Sequence, residues 1–544
     1  MKIKTLFIHA LYSCILLLGS TQASAVNLIQ LFAGLLGEPI FEESDLYDVN
    51  DDIVITSFDG SQLQANIFVP TTGASSYPAI VFINSWGMNE YEYLPEAARF
   101  ANEGYVVLSY ATRGFGGSDG QIATAGPEDI ADLAAAIAYL KTNHNISKVG
   151  VSGISYGSGI SLIGAALIDD VDAVVAMSTW GSLADSLYGQ QTPRLIWGGL
   201  LTGLGYLTGN PDPEIAENYT DLLHHQRIAE ILDWAAIRSP KTYLDLINEK
   251  QVPIYMANNF GDNLFQPNSV LKFYQQLTGP KRLDLSQGTH AITEVLQMGD
   301  EDSYLWGNAH LWFDRYLKNQ SNGVELLPSV GLEVKFSHWD MLSQWPNNQI
   351  SNQTFYLHEK EWDGDGDMKT SPYRPWWPKT DTVYGGFDTL ATSGIPILSY
   401  LTEGLIDAPI LSSMPLISTT RAIRWESDWL DSTMKIRGMP SIKLNVTPNE
   451  SNALMVAYLY DVDWAGVGRL ITHAPITLKD VTPGSAMDVN IEMTATAYDV
   501  PKNHYVALVI DTVDALYSPP ALGTYKIKVN YARGLNNTLN IPTK

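Results

Sequence analysis

Apolar and polar residues change rhythm along this chain, and the changes divide it. From Ile53 to Pro70 they alternate with a period of two on either side of Asp59-Gly60, which predicts an antiparallel hairpin closed by a tight turn. Short apolar runs follow at 79–84, 105–110, 148–151, 174–178, 253–257 and 282–285, with helical patterns between them, among these 128–142 and 160–168. Strands alternating with helices predict a mostly parallel, doubly wound sheet. Residues 182–250 interrupt the alternation with a helical stretch that lacks a convincing strand and is far longer than a crossover needs; a cap over the sheet is expected there. Past Leu317 the rhythm returns to short alternating strands, at 330–336, 354–357, 441–446, 453–461, 505–511 and 524–529, separated by Pro, Gly and Asn. That is the pattern of a β-sandwich.

The chemistry concentrates at Gly150-Val-Ser-Gly-Ile-Ser-Tyr-Gly-Ser-Gly159, which contains G-x-S-x-G centred on Ser155. An apolar strand before it and an apolar helix after it place Ser155 on the sharp strand-to-helix turn of a nucleophile elbow. Gly153 and Gly157 remove side chains that would collide in so tight a turn, and the helix N-terminus offers free N–H groups to developing negative charge. Asp262 follows the strand 253–257, and His290 follows the strand 282–285, so both occupy loops at strand carboxyl ends in the order Ser, Asp, His. In that arrangement His290 is the base and Asp262 holds its tautomer. His310, in a helical run, and the adjacent His224 and His225 are the competing histidines. The oxyanion hole is expected from the N–H of Tyr156 and from Trp86, through either its backbone N–H or its indole; a tryptophan packed on the pocket wall is the alternative for that side chain.

Composition narrows the setting. Lys2 and Lys4, the apolar stretch 6–19 and Ala23-Ser24-Ala25 form a secretory signal with cleavage after Ala25, which predicts a secreted or periplasmic protein. Cys14, the sole cysteine, lies inside that segment, so the mature chain would hold neither disulfide nor thiol. A net charge of −26 makes nucleic acid a poor partner, and no other segment has the apolar length of a membrane span. Trp86, Trp180, Trp197 and Trp376-Trp377 are expected near pockets or between domains. Asp363-Gly-Asp-Gly-Asp367 has the alternating carboxylates of a calcium loop, but Met368 stands in place of the turn glycine and Arg374 in place of the closing acid, so a solvated turn is expected, and neither metal nor cofactor.

The chain resembles the X-Pro dipeptidyl-peptidase and cocaine-esterase-like serine hydrolases, a group that includes α-amino-acid ester hydrolases and glutaryl-cephalosporin acylases. The resemblance rests on Asp59-Gly60, Ala65 to Pro70, Arg113-Gly-Phe-Gly-Gly-Ser-Asp-Gly120, Gly153-Ile-Ser-Tyr156, Ile436-Arg-Gly-Met-Pro-Ser-Ile-Lys-Leu444, Leu459-Tyr-Asp-Val462 and Thr496-Ala-Tyr-Asp-Val-Pro501. It implies an α/β-hydrolase with an inserted helical cap followed by an all-β jelly-roll of the galactose-binding type. It also implies that Ser155, Asp262 and His290 fall on the family's triad positions. The expected layout is a signal peptide at 1–25, a catalytic domain at 26–328 with its cap at 182–250, and a jelly-roll at 329–544. Ser158 stands where the family usually has glycine, and Trp86 stands where it has an oxyanion tyrosine. The expected activity is hydrolysis of an ester or peptide bond in a small substrate through an acyl-enzyme. The competing class is an inactive hydrolase fold that binds through its jelly-roll. A dipeptidyl-peptidase needs cap carboxylates for the substrate ammonium, from among Asp185, Glu214, Glu217 and Asp221, whereas an acyl esterase needs only an apolar pocket.

Overall fold

The computed structural model describes residue 34 and residues 39–361, 364–519 and 523–544. The expected signal segment and Asp363 of the acidic run lie outside them. Among the described residues no helix is long and apolar enough to cross a membrane.

The N-terminal hairpin forms as its alternation predicts. Strand β1 (Tyr47–Thr56) pairs antiparallel with β2 (Gln62–Pro70), and β2 pairs antiparallel with the edge of the main sheet. The apolar runs become β3 (Tyr77–Ile83), β4 (Val106–Tyr110), β5 (Ile146–Ile154), β6 (Ala173–Met177), β7 (Ile254–Asn259) and β8 (Lys281–Ser286). β4 and β6 are buried along their whole length, as strands covered by helices on both faces must be. Helices α1 (Leu94–Asn102), α2 (Pro127–Asn143) and α3 (Tyr156–Leu167) are among those that cover the sheet. The strand order is β1-β2-β4-β3-β5-β6-β7-β8, with β5, the strand that leads to Ser155, in the interior.

Two further strands extend this sheet, and they correct the expected boundary. Residues 330–336 do not open the sandwich. β9 (Val330–Glu333) pairs parallel with β8, with Val330 opposite Leu283, and β10 (Trp339–Leu342) returns antiparallel along β9. The period-two pattern identified a strand correctly, but the pattern carries no information about which sheet edge takes it. Here β9 covers an edge that β8 would otherwise leave unpaired.

The cap is helical throughout, as expected: α4 (Leu183–Tyr188), α5 (Leu195–Thr208), α6 (Pro213–Leu223), α7 (Ile228–Ala236) and α8 (Leu244–Lys250). Strands from Ser351–Lys360 to Thr538–Thr543 form the C-terminal β-domain, with its own core around Trp425, Ile442, Leu459, Leu508 and Ile527. In the acidic run, Asp365 pairs with Arg424 and Asp367 with Lys369.

Cap and β-domain are joined by side chains on both sides. The Gln190 amide donates to Pro475 O and Glu492 O and accepts from Glu492 N, while Arg194 lies over the Tyr517 ring. An α/β-hydrolase core, a helical cap and a C-terminal all-β domain make up the described residues.

Candidate active site

Ser155 sits between β5 and α3 with φ 54° and ψ −116°, a conformation costing about 1–3 kcal/mol for a residue with a side chain. The surroundings enforce it. Gly157 approaches β3 so closely that a Cβ there would lie 2.0 Å from Ile83 O. Ser158 in place of the family's glycine is accommodated: its hydroxyl bonds back to Ser155 O.

The three residues chosen from spacing come together. Ser155 Oγ is 2.7 Å from His290 Nε2, and His290 Nδ1 is 2.7 Å from Asp262 Oδ2. The other Asp262 oxygen accepts the N–H groups of Leu264 and Phe265 at 2.9 and 2.7 Å, which fixes the carboxylate plane. Exposure of the three is 5%, 6% and 0%. Behind the histidine, Ala291 N–H donates to Ser178 Oγ, and Ser178 Oγ donates to the buried Glu294, which also accepts from Asn259. Burial raises Glu294 above the usual carboxylate range. The β-domain braces the same loops. Its helix at Leu398–Ile406 runs so close that a Cβ on Gly404 would lie 2.5 Å from Gly288 Cα.

The two backbone N–H groups expected at the oxyanion hole are not engaged elsewhere among the described residues. Tyr156 N–H is at the first position of α3, where no intrahelical acceptor exists, and Trp86 N–H has no acceptor among the described residues. The loop that carries Trp86 is held from below: Ser85 donates from both N and Oγ to Glu92 at 2.6 Å, and Asn84 Nδ2 holds the carbonyls of Ser85 and Met88. Full burial pushes Glu92 up to about 7 despite the bonds from Ser85. The indole of Trp86 is not available as a donor. Its Nε1 is spent on Leu201 O of α5 at 2.9 Å, and its ring packs edge-on against Tyr156 and Phe115. The indole route to the oxyanion is thereby excluded, and the side chain is a pocket wall.

The other candidates separate cleanly. His310 stacks on Phe100 at 3.7 Å and lies between Glu96 and Glu103; burial opposes its charge, yet the bonds to Glu103 and Glu96 raise its pKa. His225 bonds Tyr188, and His224 bonds Thr220 O on its own helix. Trp180 lines the cavity beside Ser155, and Trp197 packs edge-on against His290 at 5.5 Å. Trp376 and Trp377, expected near a pocket or between domains, are exposed.

Beside Ser155 lies a cavity roofed by the cap, with Leu183, Leu187, Leu201, Leu222 and Ile231 among its lining. Its lining contains no Asp, Glu, Lys or Arg. A second cavity shares Thr124, Ile215 and Trp234 with the first and holds Arg113, Arg238, Glu128, Asp212 and Glu214. Glu214 faces that second space and accepts the Trp234 indole N–H at 2.9 Å. Asp221 pairs with Arg227, and Asp185 lines a third cavity toward the β-domain; neither these nor Glu217 lines the cavity at Ser155. Sequence reasoning missed Thr124, Asn218 and Trp234 as cavity residues. Ile215, Asn218, Tyr219 and Leu222 follow one face of α6, a stripe readable only once the cap's orientation is known.

Comparison with known proteins agrees with this construction. Residues 59–292 match the X-Pro dipeptidyl-peptidase (S15 family) model, and residues 322–540 match the X-Pro dipeptidyl-peptidase C-terminal non-catalytic domain. A candidate Xaa-Pro dipeptidyl-peptidase of Streptomyces avermitilis is 20% identical over 518 residues, covering 80% of this chain and 71% of its own. Among solved structures, a CocE/NonD family hydrolase from Staphylococcus aureus superposes with a TM-score of 0.72 at 12% identity, covering 92% of this chain and 94% of its own. An α-amino acid ester hydrolase gives 0.67 at 14% identity, with 93% and 98% covered, and an aminopeptidase from a marine sediment Thaumarchaeota archaeon gives 0.68 at 14%, with the same coverage. These structural likenesses concern the fold. With family models over both its catalytic and its C-terminal parts, the chain belongs to the X-Pro dipeptidyl-peptidase (S15) family of serine hydrolases.

Proposed function

We propose that this hydrolase cleaves esters of apolar acyl groups through an acyl-enzyme on Ser155. His290 Nε2 takes the Ser155 proton as Oγ attacks the carbonyl carbon, and Asp262 stabilises the resulting imidazolium. The carbonyl oxygen gains negative charge and is met by the N–H groups of Tyr156 and Trp86. Collapse expels the alkoxide, which receives the proton from His290. Water then repeats the sequence on the acyl-enzyme and frees the acid and Ser155.

The observation that carries the ester reading is the cavity beside Ser155, which has no carboxylate in its lining. A dipeptide substrate brings a free ammonium, and burying that charge without a partner is strongly unfavourable. A neutral acyl chain needs only the apolar wall that is present. Export is part of the proposal and rests on residues 1–25; the intact mass of the protein recovered outside the cytoplasm, beginning at Val26, checks it.

The test is a panel of p-nitrophenyl esters of increasing chain length set against Ala-Pro and Gly-Pro p-nitroanilides. Turnover of the esters, with the anilides hydrolysed far more slowly, is expected. Preferential cleavage of the anilides overturns the ester reading in favour of a peptidase. A folded protein that turns over neither, and that a fluorophosphonate does not label, is a binding protein.

A further inference from the structure

The cavity beside Ser155 keeps its aromatic polar atoms out of the way. Trp86 Nε1 donates to Leu201 O, Trp180 Nε1 to Arg238 O, Trp234 Nε1 to Glu214, Tyr219 Oη to Leu195 O and Tyr156 Oη to Asp129. Asn218 does the reverse. It lies on the α6 stripe that faces the cavity, three residues after Ile215 and four before Leu222, and is 6% exposed. Its Oδ1 accepts from Arg227 Nη2 at 3.2 Å, while its Nδ2 has no acceptor among the described residues.

The orientation of that amide is not arbitrary. A guanidinium can only donate, so Arg227 turns the carbonyl side of Asn218 toward itself and leaves the NH2 side unpaired. A buried donor without an acceptor is a standing penalty that a ligand can remove. Thr124 Oγ1 is also unpaired at the cavity wall, but a hydroxyl both donates and accepts and therefore does not choose. Asn218 Nδ2 chooses an acceptor. A carboxylate acceptor would be buried here without a cation, since the lining holds no Lys or Arg.

Building on the ester reading above, we propose that Asn218 sets the acyl specificity: its amide N–H binds a neutral acceptor, a carbonyl or ether oxygen, carried on an otherwise apolar acyl chain. The preferred substrates are then oxo-acyl, alkoxy-acyl or amide-bearing acyl esters rather than plain alkanoyl esters, and Arg227 is the positioning residue that keeps the donor pointing inward. The alternative is a purely structural Asn218–Arg227 clamp between α6 and the turn at 225–227, which would leave acyl preference untouched.

The test uses the full chain with p-nitrophenyl octanoate and its mono-oxo analogues, the ketone moved one carbon at a time along the chain. One ketone position should exceed octanoate by about tenfold in kcat/KM, mainly through KM. The readout in variants is that ratio and not the absolute rate. Asn218→Leu should bring it to about one. Arg227→Met, which releases the amide to turn without altering a cavity residue, should lower it as well. If Asn218→Leu does not fold, Asn218→Asp, similar in shape but without the donor, carries the same expectation. A wild-type ratio near one at every ketone position, or a ratio unchanged in the folded Asn218 variants, overturns the assignment while the ester reading stands. Failure of the wild-type enzyme to turn over octanoate and all its analogues overturns the ester reading itself, and this assignment with it.

Discussion

Two adjacent cavities share the wall made by Thr124, Ile215 and Trp234, yet the rest of their linings differ in charge. The one at Ser155 has no charged side chain in its lining; its neighbour holds Arg113, Arg238, Glu128, Asp212 and Glu214. The charged residues of the cap are thus not absent from the region but partitioned away from Ser155, with the Trp234 indole between. On the proposed ester reading, substrate class in this cap turns on which side of the wall a carboxylate stands, and not on the number of acidic residues in the cap.

The largest effect expected from disturbing this arrangement is at the nucleophile. Ser155→Ala should lower kcat/KM on an alkanoyl ester by roughly 10⁴-fold or more and abolish fluorophosphonate labelling, with the far-ultraviolet circular dichroism unchanged. Labelling that survives would place the nucleophile elsewhere. Next, moving a carboxylate across the wall should erase the contrast: Leu201→Asp, at a half-buried position of α5, should cut octanoate kcat/KM on the order of 100-fold by burying charge where the acyl chain packs. Retained activity in that variant would mean the acyl chain lies elsewhere.

Removing the wall itself should act more gently. Trp234→Ala joins the two spaces and frees Glu214 of its indole donor, so the rate on an alanyl ester relative to a pentanoyl ester should rise by about tenfold. An unchanged ratio would show that Glu214 does not reach the acyl site. By contrast, Glu214→Gln alone should alter octanoate turnover by less than about twofold, since Gln still accepts the indole N–H.

The smallest effect concerns stability. Asp129 accepts the Tyr156 hydroxyl beneath the helix that follows Ser155, and burial pushes its pKa up to about 7 from the ordinary carboxylate value of 3.8. Between those values the folded protein binds a proton that the unfolded chain does not, so this group's contribution is full at low pH and is lost as pH rises through about 7. Asp129→Asn cannot titrate. Its melting temperature relative to wild type should therefore be higher at pH about 8 than at pH about 5; a difference that does not change with pH would mean that Asp129 is ionised throughout.

The sequence disclosed the local features well. The elbow at Ser155 is written in adjacent residues, and Asp262 and His290 each follow a strand whose apolar run is visible without the fold. What stayed hidden depends on partners far along the chain. The Trp86 indole is committed to a carbonyl 115 residues away, and no local pattern indicates that. The placement of β9 depends on which sheet edge lies open, which a period-two pattern does not specify. Likewise the helicity of 182–250 was legible, but not which cap residues face Ser155. Asp185, Glu214, Glu217 and Asp221 looked equivalent as a sequence and are separated only by helix rotation and by the Trp234 wall.

The β9–β10 hairpin also bears on how this protein is made. During synthesis Ser155, Asp262 and His290 leave the ribosome well before residues 330–342, and until those arrive β8 presents an unpaired edge to other nascent chains. Even then β10 is incompletely secured, because Asp340 is held by Arg437 and by Lys544 Nζ. A ribosome stalled after His290 would therefore carry Ser155, Asp262 and His290 in a sheet whose β8 edge is still unpaired, so encoding the site and completing its sheet are separate events.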